Sequence, residues 1–343
     1  MHRGILLIAL VGLALAAETT HAGDPRPAAD TPFGVETDQE PRMSRRARRA
    51  ARRRASLAES SADDEGSDLP ERRGADPSDP SFAGQVVHRD QPYGSAPLPC
   101  QRFDILLPEG CDSGLPLVVW IHGDSWRSGT KDDCPVTWLT RHGYAVASIG
   151  YRLSSEATFP AQVDDCLEAL ATIQRDAELW GIDRTRVCVA GAAAGGHLAA
   201  LSGLWNQPDA EQQPPRVAAI ATFAAPTHLT TLGPQHDRPA SPASLLVGGP
   251  LPELREAAQR ASPLTHVSPG AAPVLVVHGR CDTLVPPDQS VRFHAALEAA
   301  GVESRLVMVD GAGHDLSVSR TSPAGVALLE FLDRTLGRGQ RSQ

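Results

Sequence analysis

From residue 85 onward, the chain alternates short apolar runs with segments in which apolar residues recur at helical spacing. Two early runs, "QVVHRDQPY" and "QRFDILLPEG", alternate apolar and polar residues, which is typical of strands at an antiparallel edge. Later runs are almost continuously apolar, which predicts parallel strands buried on both faces. These are "LPLVVWIHG", "YAVASIGY", "RVCVAG", "VAAIATFAAP", "PVLVVHGRCD" and "SRLVMVDGAGH".

The helical segments lie between these predicted strands, as crossover connections require. They are "FPAQVDDCLEALATIQRDAEL", "GGHLAALSGLW", "DQSVRFHAALEAAG" and "SPAGVALLEFLDRTLG". Eight strands with crossover helices predict one α/β domain over residues 85–338, with a mostly parallel sheet. Residues 227–269 are rich in Pro and Gly, with a predicted helix over 251–261. We expect this stretch to be a small cap insertion over one end of the sheet.

The N-terminus has a different pattern. A positive residue, an apolar run from Ile5 to Ala17 and small residues at Ala16 and Ala22 predict a secretory signal peptide over residues 1–22. The apolar run is shorter than the ~20 residues that span a bilayer. We therefore expect a secreted or periplasmic protein with no transmembrane segment after cleavage.

Residues 23–84 contain almost no large apolar side chains, which predicts a disordered linker. Eight arginines lie between Arg42 and Arg54, followed by the acidic stretch "ESSADDEGSD". One hypothesis is that this Arg-rich segment binds an anionic polymer or membrane surface; the favoured one is a solvated linker whose charged halves attract each other. The net charge of −9 gives no global footprint for nucleic acid, so we expect no specific nucleic-acid partner.

The chain has six cysteines, and export permits disulfides. Cys100 and Cys111 flank a predicted strand and are therefore too far apart to bond each other. We favour a disulfide between Cys134 and Cys166 and expect Cys188 and Cys281 to be either bonded or buried as free thiols. No spacing resembles a zinc site, and we expect no metal and no cofactor.

The segment "VCVAGAAAGGHLAAL" predicts a strand, a turn of small residues and a helix. This is the context of a nucleophile elbow, G-x-S-x-G, with Ala193 at its centre. Asp282 ends the predicted seventh strand and His314 follows the eighth, in the chain order of a triad acid and base. The segment "WIHGDSW" follows the third strand, where an oxyanion loop belongs.

From about residue 86 to its end, the chain resembles the α/β-hydrolase superfamily. It is particularly similar to secreted bacterial esterases of the feruloyl-esterase-like, hormone-sensitive-lipase-related group. The matching stretches include "VVWIHG", "GYAVASIGYRLSSEATFPAQVDDC", "GIDRTRVCVAGAAAGGHLAAL", "VLVVHG", "DTLVPPDQS" and "GAGH". The resemblance implies an α/β-hydrolase fold and carboxylic-ester hydrolysis. It also implies His314 as base, Asp282 as acid, and an oxyanion site formed around Gly123, Asp124 and Ala194.

This chain differs from the family pattern at positions where the resemblance implies catalytic residues. The family pattern implies serine at position 193 and glycines at 124 and 125, where this chain has Ala193, Asp124 and Ser125. Alanine cannot attack a carbonyl carbon. We therefore expect a catalytically impaired relative of ester hydrolases that binds an acylated or carbohydrate-like ligand, with Trp126 packed near the mouth of the site or stacked on that ligand.

The sequence leaves two alternatives open. In the first, the protein is an active ester hydrolase that uses Ser125 as a relocated nucleophile, or a water activated by His314 and Asp282. In the second, it is an interaction protein whose Arg-rich segment binds an anionic surface while the folded domain serves as a spacer. Without a nucleophile, the Asp282–His314 pair could also persist simply as a hydrogen bond between two loops.

Overall fold

The computed structural model describes residues 85–110, 113–205 and 215–338. The predicted signal peptide, the linker with its Arg-rich segment, and Cys111 lie outside these residues. The strands are β1 Gln85–Pro92, β2 Arg102–Pro108, β3 Leu115–Ile121, β4 Ala145–Ile149, β5 Ile182–Ala192, β6 Ala219–Phe223, β7 Val274–Gly279 and β8 Ser304–Val309. Within the described residues they form one sheet in the order β1-β2-β4-β3-β5-β6-β7-β8.

The sheet is mostly parallel, as the sequence predicted. The pairs β1–β2 and β2–β4 are antiparallel, and every later pair, from β3–β4 to β7–β8, is parallel. All residues of β3 are buried, because helices cover both faces of the sheet. The loops after β3, β5, β7 and β8 therefore meet at one edge, where ligands bind in open α/β sheets.

Six α-helices accompany the described strands: α1 Ala161–Arg175, α2 Ala194–Leu204, α3 Pro242–Val247, α4 Arg255–Arg260, α5 Asp288–Ala299 and α6 Pro323–Thr335. Short 3₁₀ helices span Thr137–His142, Ala177–Trp180, Leu229–Thr231 and Pro263–His266. In the described part of the chain, no helix has both the length and the apolar character needed to cross a bilayer.

The core consists of two layers, one on each face of the sheet. Val119 packs in the layer that contains α1, α2 and α5. Its neighbours Val118 and Trp120 point to the opposite layer, which contains Thr137–His142 and α6. This alternation is the two-residue period of a strand, so each crossover helix is fixed to one face.

The predicted cap region, residues 227–269, contains two α-helices rather than the one expected over 251–261. The expected helix spans only Arg255–Arg260, because the preceding residues form a turn in which the amides of Glu253 and Leu254 donate to Pro250 O. The helix that the sequence analysis missed, α3, had a local signal. Ser241 accepts a hydrogen bond from the Ser244 amide, and Pro242 occupies the first helical position.

The favoured disulfide is wrong. Cys166 lies on α1 in one core layer, whereas Cys134 packs against the layer on the opposite face of the sheet. Both thiols are free, and the sheet between them prevents the close Cα approach that a disulfide needs. Cys188 is a buried free thiol, as one interpretation held, but Cys281 is exposed.

Candidate active site

The turn between β5 and α2 has the backbone of a strained elbow. Ala193 adopts φ 49° and ψ −117°, in the positive-φ region that non-glycine residues rarely occupy. Its amide donates to Phe223 O at 2.8 Å, which fixes the turn to β6. Glycine is required at the flanking position 195, because a Cβ there would overlap the carbonyl oxygens of Ile121 and His122. The small residues of this segment thus allow a tight turn that sets residue 193 at the end of the sheet.

The loop after β3 lies against this elbow. A Cβ on Gly123 would come within 2.9 Å of Ala192 O, so the two backbones touch. The next three residues, Asp124, Ser125 and Trp126, all have left-handed backbone, with φ of 65°, 58° and 59°. This conformation suits glycine and disfavours L-residues by about 1–2 kcal/mol each. The backbone of this loop therefore has a conformation that favours glycine at three positions that other residues occupy.

Two buried histidines hold this loop in place. His122 stacks on Tyr151 with ring centroids 4.3 Å apart, and the Tyr151 hydroxyl donates to His122 O. Trp126 Nε1 donates to His197 Nδ1 at 3.2 Å, and the other ring nitrogen of His197 lies 2.6 Å from Ala261 O. Burial lowers the pKa of both His122 and His197 to about 4, so both rings are neutral near pH 7. His197 Nε2 then carries the hydrogen, which it donates to Ala261 O.

Asp282 and His314 form a hydrogen-bonded pair on the loops after β7 and β8. The distance from His314 Nδ1 to Asp282 Oδ2 is 2.8 Å. The other carboxylate oxygen, Oδ1, accepts from the amides of Leu284 and Val285, each at 2.9 Å. Burial acts to raise the pKa of Asp282, but hydrogen bonds from His278, His314 and the Val285 amide together hold it well below its usual value. Asp282 is therefore a carboxylate near pH 7 and orients the His314 ring.

His278 is a member of this group that the sequence analysis missed. Its side chain is fully buried at the end of β7, and its Nε2 lies 3.0 Å from the same Oδ2 of Asp282. The signal was the segment "HGRCD", in which a histidine at the end of an apolar strand precedes an aspartate by four residues.

A cavity of about 500 Å³ joins these loops. It contains Ala193 from the elbow, Gly123, Asp124 and Ser125 from the loop after β3, and His314. The rest of its lining is Gly129, Asp133, Ala192, Leu284, Asp315, Leu316 and Ser317. The structure thus places the imidazole, the turn residue and the loop residues around one volume that can hold a small ligand.

Comparison with known proteins identifies the family. The family model BD-FAE matches residues 103–297, more than half of the chain. The chain belongs to the BD-FAE family. The matched region contains Ala193 and Asp282 but ends before His314, whose place in the site rests on the geometry above.

Relatives of this chain are named as esterases. The chain is 27% identical to Esterase LipC of Mycobacterium tuberculosis over 73% of this chain and 66% of LipC. It is 29% identical to the probable carboxylic ester hydrolase LipM of the same organism, over 63% of this chain and 54% of LipM. The matched regions thus span less than two thirds of each relative.

A solved structure titled as a truncated carbohydrate esterase from gut microbiota superposes with a TM-score of 0.68. It is 23% identical and covers 74% of this chain and 97% of its own. This likeness and the sheet order confirm the predicted α/β-hydrolase fold for this BD-FAE member.

The sequence analysis selected three further site residues, and the structure places each in a different environment. Trp126 does not stack at the cavity, because its ring is buried and edge-on to His197 at 5.0 Å. Ala194, the first residue of α2, has an amide with no acceptor inside the helix, as an oxyanion donor would need. Ser125 is exposed on the cavity, and within the described residues His314 Nε2 makes no hydrogen bond to it.

Proposed function

We propose that the protein is a catalytically impaired carboxylic-ester hydrolase that binds an acylated or carbohydrate-like ligand without forming an acyl-enzyme. The observation that carries this proposal is the methyl group of Ala193. It occupies the strained turn on the cavity that His314 lines, where the resemblance implies a serine. A methyl group has no lone pair with which to attack an ester carbonyl.

The expected loss of turnover is large enough to leave almost no activity, rather than a slower enzyme. Loss of the serine from such a triad lowers turnover by roughly 10⁶, or about 8 kcal/mol of barrier. Asp124 adds to this defect. Asp124 lines the cavity as part of the oxyanion-type loop, where a negative charge opposes the charge that develops on the carbonyl oxygen.

Ligand binding is supported by what the chain retains. The cavity of about 500 Å³ is within the range of small-molecule sites, and the Asp282–His314 pair is intact. Relatives named as esterases and a neighbour titled as a carbohydrate esterase favour an ester or acylated sugar as the ligand. We further propose that the protein acts outside the cytoplasm, on the strength of the signal-like residues 1–22.

The test compares the wild type with Ala193→Ser on p-nitrophenyl acetate and acetylated sugars. We expect no turnover above background for the wild type and measurable turnover for Ala193→Ser. Adding Asp124→Gly to Ala193→Ser should raise that turnover, and adding His314→Ala should abolish it. Wild-type turnover that disappears in His314→Ala would overturn the proposal, and an inactive Ala193→Ser with wild-type stability would show that the remaining site is not assembled.

A second candidate is an active hydrolase that uses Ser125, favoured by the position of that hydroxyl on the cavity shared with His314. It predicts wild-type turnover that Ser125→Ala abolishes. Wild-type turnover that survives Ser125→Ala but requires His314 would instead point to an activated water.

A further inference from the structure

A buried hydrogen-bonded chain of four side chains ends at the cavity. Ser290 Oγ on α5 lies 2.6 Å from His278 Nδ1, and His278 Nε2 lies 3.0 Å from Asp282 Oδ2. That oxygen is 2.8 Å from His314 Nδ1. Ser290, His278 and Asp282 are buried, so among these four only His314 reaches the cavity.

The positions of the protons follow from the neighbours of His278. Its Nε2 faces two groups that only accept, Asp282 Oδ2 and the carbonyl of Val285, each at 3.0 Å. Nε2 therefore carries a hydrogen. With Nε2 as the donor, Nδ1 is the nitrogen that accepts the hydroxyl hydrogen of Ser290, at 2.6 Å. The bond from Ser290 thus selects the tautomer of His278 that donates to Asp282.

We propose that His278 and Ser290 are positioning residues for the Asp282–His314 pair. Two backbone amides hold Oδ1 of Asp282, and His278 holds Oδ2, so the carboxylate is oriented independently of His314. Donation from His278 also makes Oδ2 a weaker base. Asp282 then accepts the hydrogen bond of His314 Nδ1 in a fixed direction. This bond fixes the orientation of the His314 ring, which lines the cavity.

The positioning role does not depend on a serine at position 193. It can therefore be tested in the wild-type protein without measuring turnover. In wild-type protein, the ¹H resonance of His314 Nδ1–H reports its hydrogen bond to Asp282. We expect Ser290→Ala to move this resonance upfield and to speed its exchange with water, and Ser290→Thr to preserve it. Ser202→Ala is the matched control, because Ser202 is another buried helical serine, and its hydroxyl donates to Leu198 O, at 2.7 Å, rather than to the Asp282–His314 group. A resonance that is unchanged in Ser290→Ala, or that moves as far in Ser202→Ala, would overturn the proposal.

An activity measurement adds a second arm, which rests on the proposed function because it uses the Ala193→Ser background. There, Ser290→Ala should lower kcat by about tenfold with KM within about twofold, since the pair is misplaced while the cavity is intact. Ser290→Thr should recover most of this loss, and Ser202→Ala should show none. An equal loss in both alanine variants would contradict the positioning role. If Ala193→Ser itself has no turnover, the part of the proposed function that rests on a retained, assembled site fails on that result, while the NMR arm still decides the role of His278 and Ser290.

Discussion

Trp126 donates its indole N–H to Nδ1 of His197 across 3.2 Å, and this bond fastens the loop after β3 to the helix that follows the elbow. His197 is fully buried and neutral, so its Nδ1 has a lone pair for Trp126 while Nε2 donates to Ala261 O. One imidazole therefore joins three segments: the oxyanion-type loop, the elbow helix and the cap region.

Trp126→Phe should destabilise the protein by more than the loss of ring area. The substitution leaves a buried acceptor on His197 without its donor, which costs about 1–3 kcal/mol. Urea unfolding at neutral pH measures the change in the free energy of unfolding. Trp205→Phe is the control, because Trp205 is also buried but its indole makes ring contacts and, within the described residues, no hydrogen bond. Equal destabilisation by both substitutions would mean that the Trp126–His197 bond adds nothing.

The buried histidines His122 and His197 predict acid sensitivity over a defined range. His122 and His197 have folded pKa values of about 4, below the ordinary 6.5, because burial disfavours the charged ring. The unfolded chain therefore binds more protons between these values, so stability is full above about pH 6.5 and falls as pH drops towards 4. Each ring accounts for about 3 kcal/mol once pH is below 4. Asp282 has a lowered pKa and adds a further loss only below its ordinary value of 3.8.

Urea unfolding at several pH values from about 7.5 to 4.5 checks this prediction. The slope of the free energy of unfolding against pH gives the number of extra protons that the unfolded chain binds. This number should approach two in the wild type and about one in His197→Phe. A wild-type slope near zero across this range would contradict neutral burial of both rings.

The sequence predicted β3 to β8 because a buried parallel strand is an almost continuous apolar run, as in β3, and it predicted β1 and β2 from their alternation of apolar and polar residues. It predicted Asp282 and His314 as acid and base from their chain order after the seventh and eighth strands and from the family resemblance, and the structure places the two side chains 2.8 Å apart. The sequence analysis failed for side-chain contacts that the local pattern of apolar and polar residues does not indicate. His278 lies in an apolar run, and its contacts to Asp282 and Ser290 depend on how the following loop returns to β7.

The cysteine error has the same origin. The face on which Cys166 lies follows from the helical period of α1, whereas Cys134 is in a loop with no period to place it. The opposite core layers are therefore visible only once the sheet is assembled.

Thiol labelling tests this correction. Cys281 is exposed and Cys166 and Cys188 are buried, so Cys281→Ser should remove a fast-reacting thiol from the native protein, whereas Cys166→Ala should leave the fast phase unchanged. Full reactivity should appear on unfolding. A peptide linking Cys134 to Cys166 in a non-reducing digest would contradict the structure.

Replacing Ser125 by glycine should relieve backbone strain and stabilise the protein. With φ 58°, Ser125 adopts a conformation that disfavours an L-residue by about 1–2 kcal/mol, whereas glycine adds about 0.5–1 kcal/mol of chain entropy to the unfolded state. Ser125→Gly should therefore raise the free energy of unfolding by about 0.5–1 kcal/mol, as urea denaturation measures. Ser128→Gly, in the same loop but without a positive φ, should lower it.

The Ser125→Gly variant also bears on catalysis, because it removes the hydroxyl while keeping the loop backbone. A protein that is more stable but loses wild-type turnover would identify Ser125 as the nucleophile and overturn the proposed impairment. A protein that is less stable than the wild type would show that Ser125 makes a contact that outweighs the strain of its left-handed backbone. We expect neither result, since within the described residues no hydrogen bond of the Ser125 hydroxyl accompanies its exposed position on the cavity.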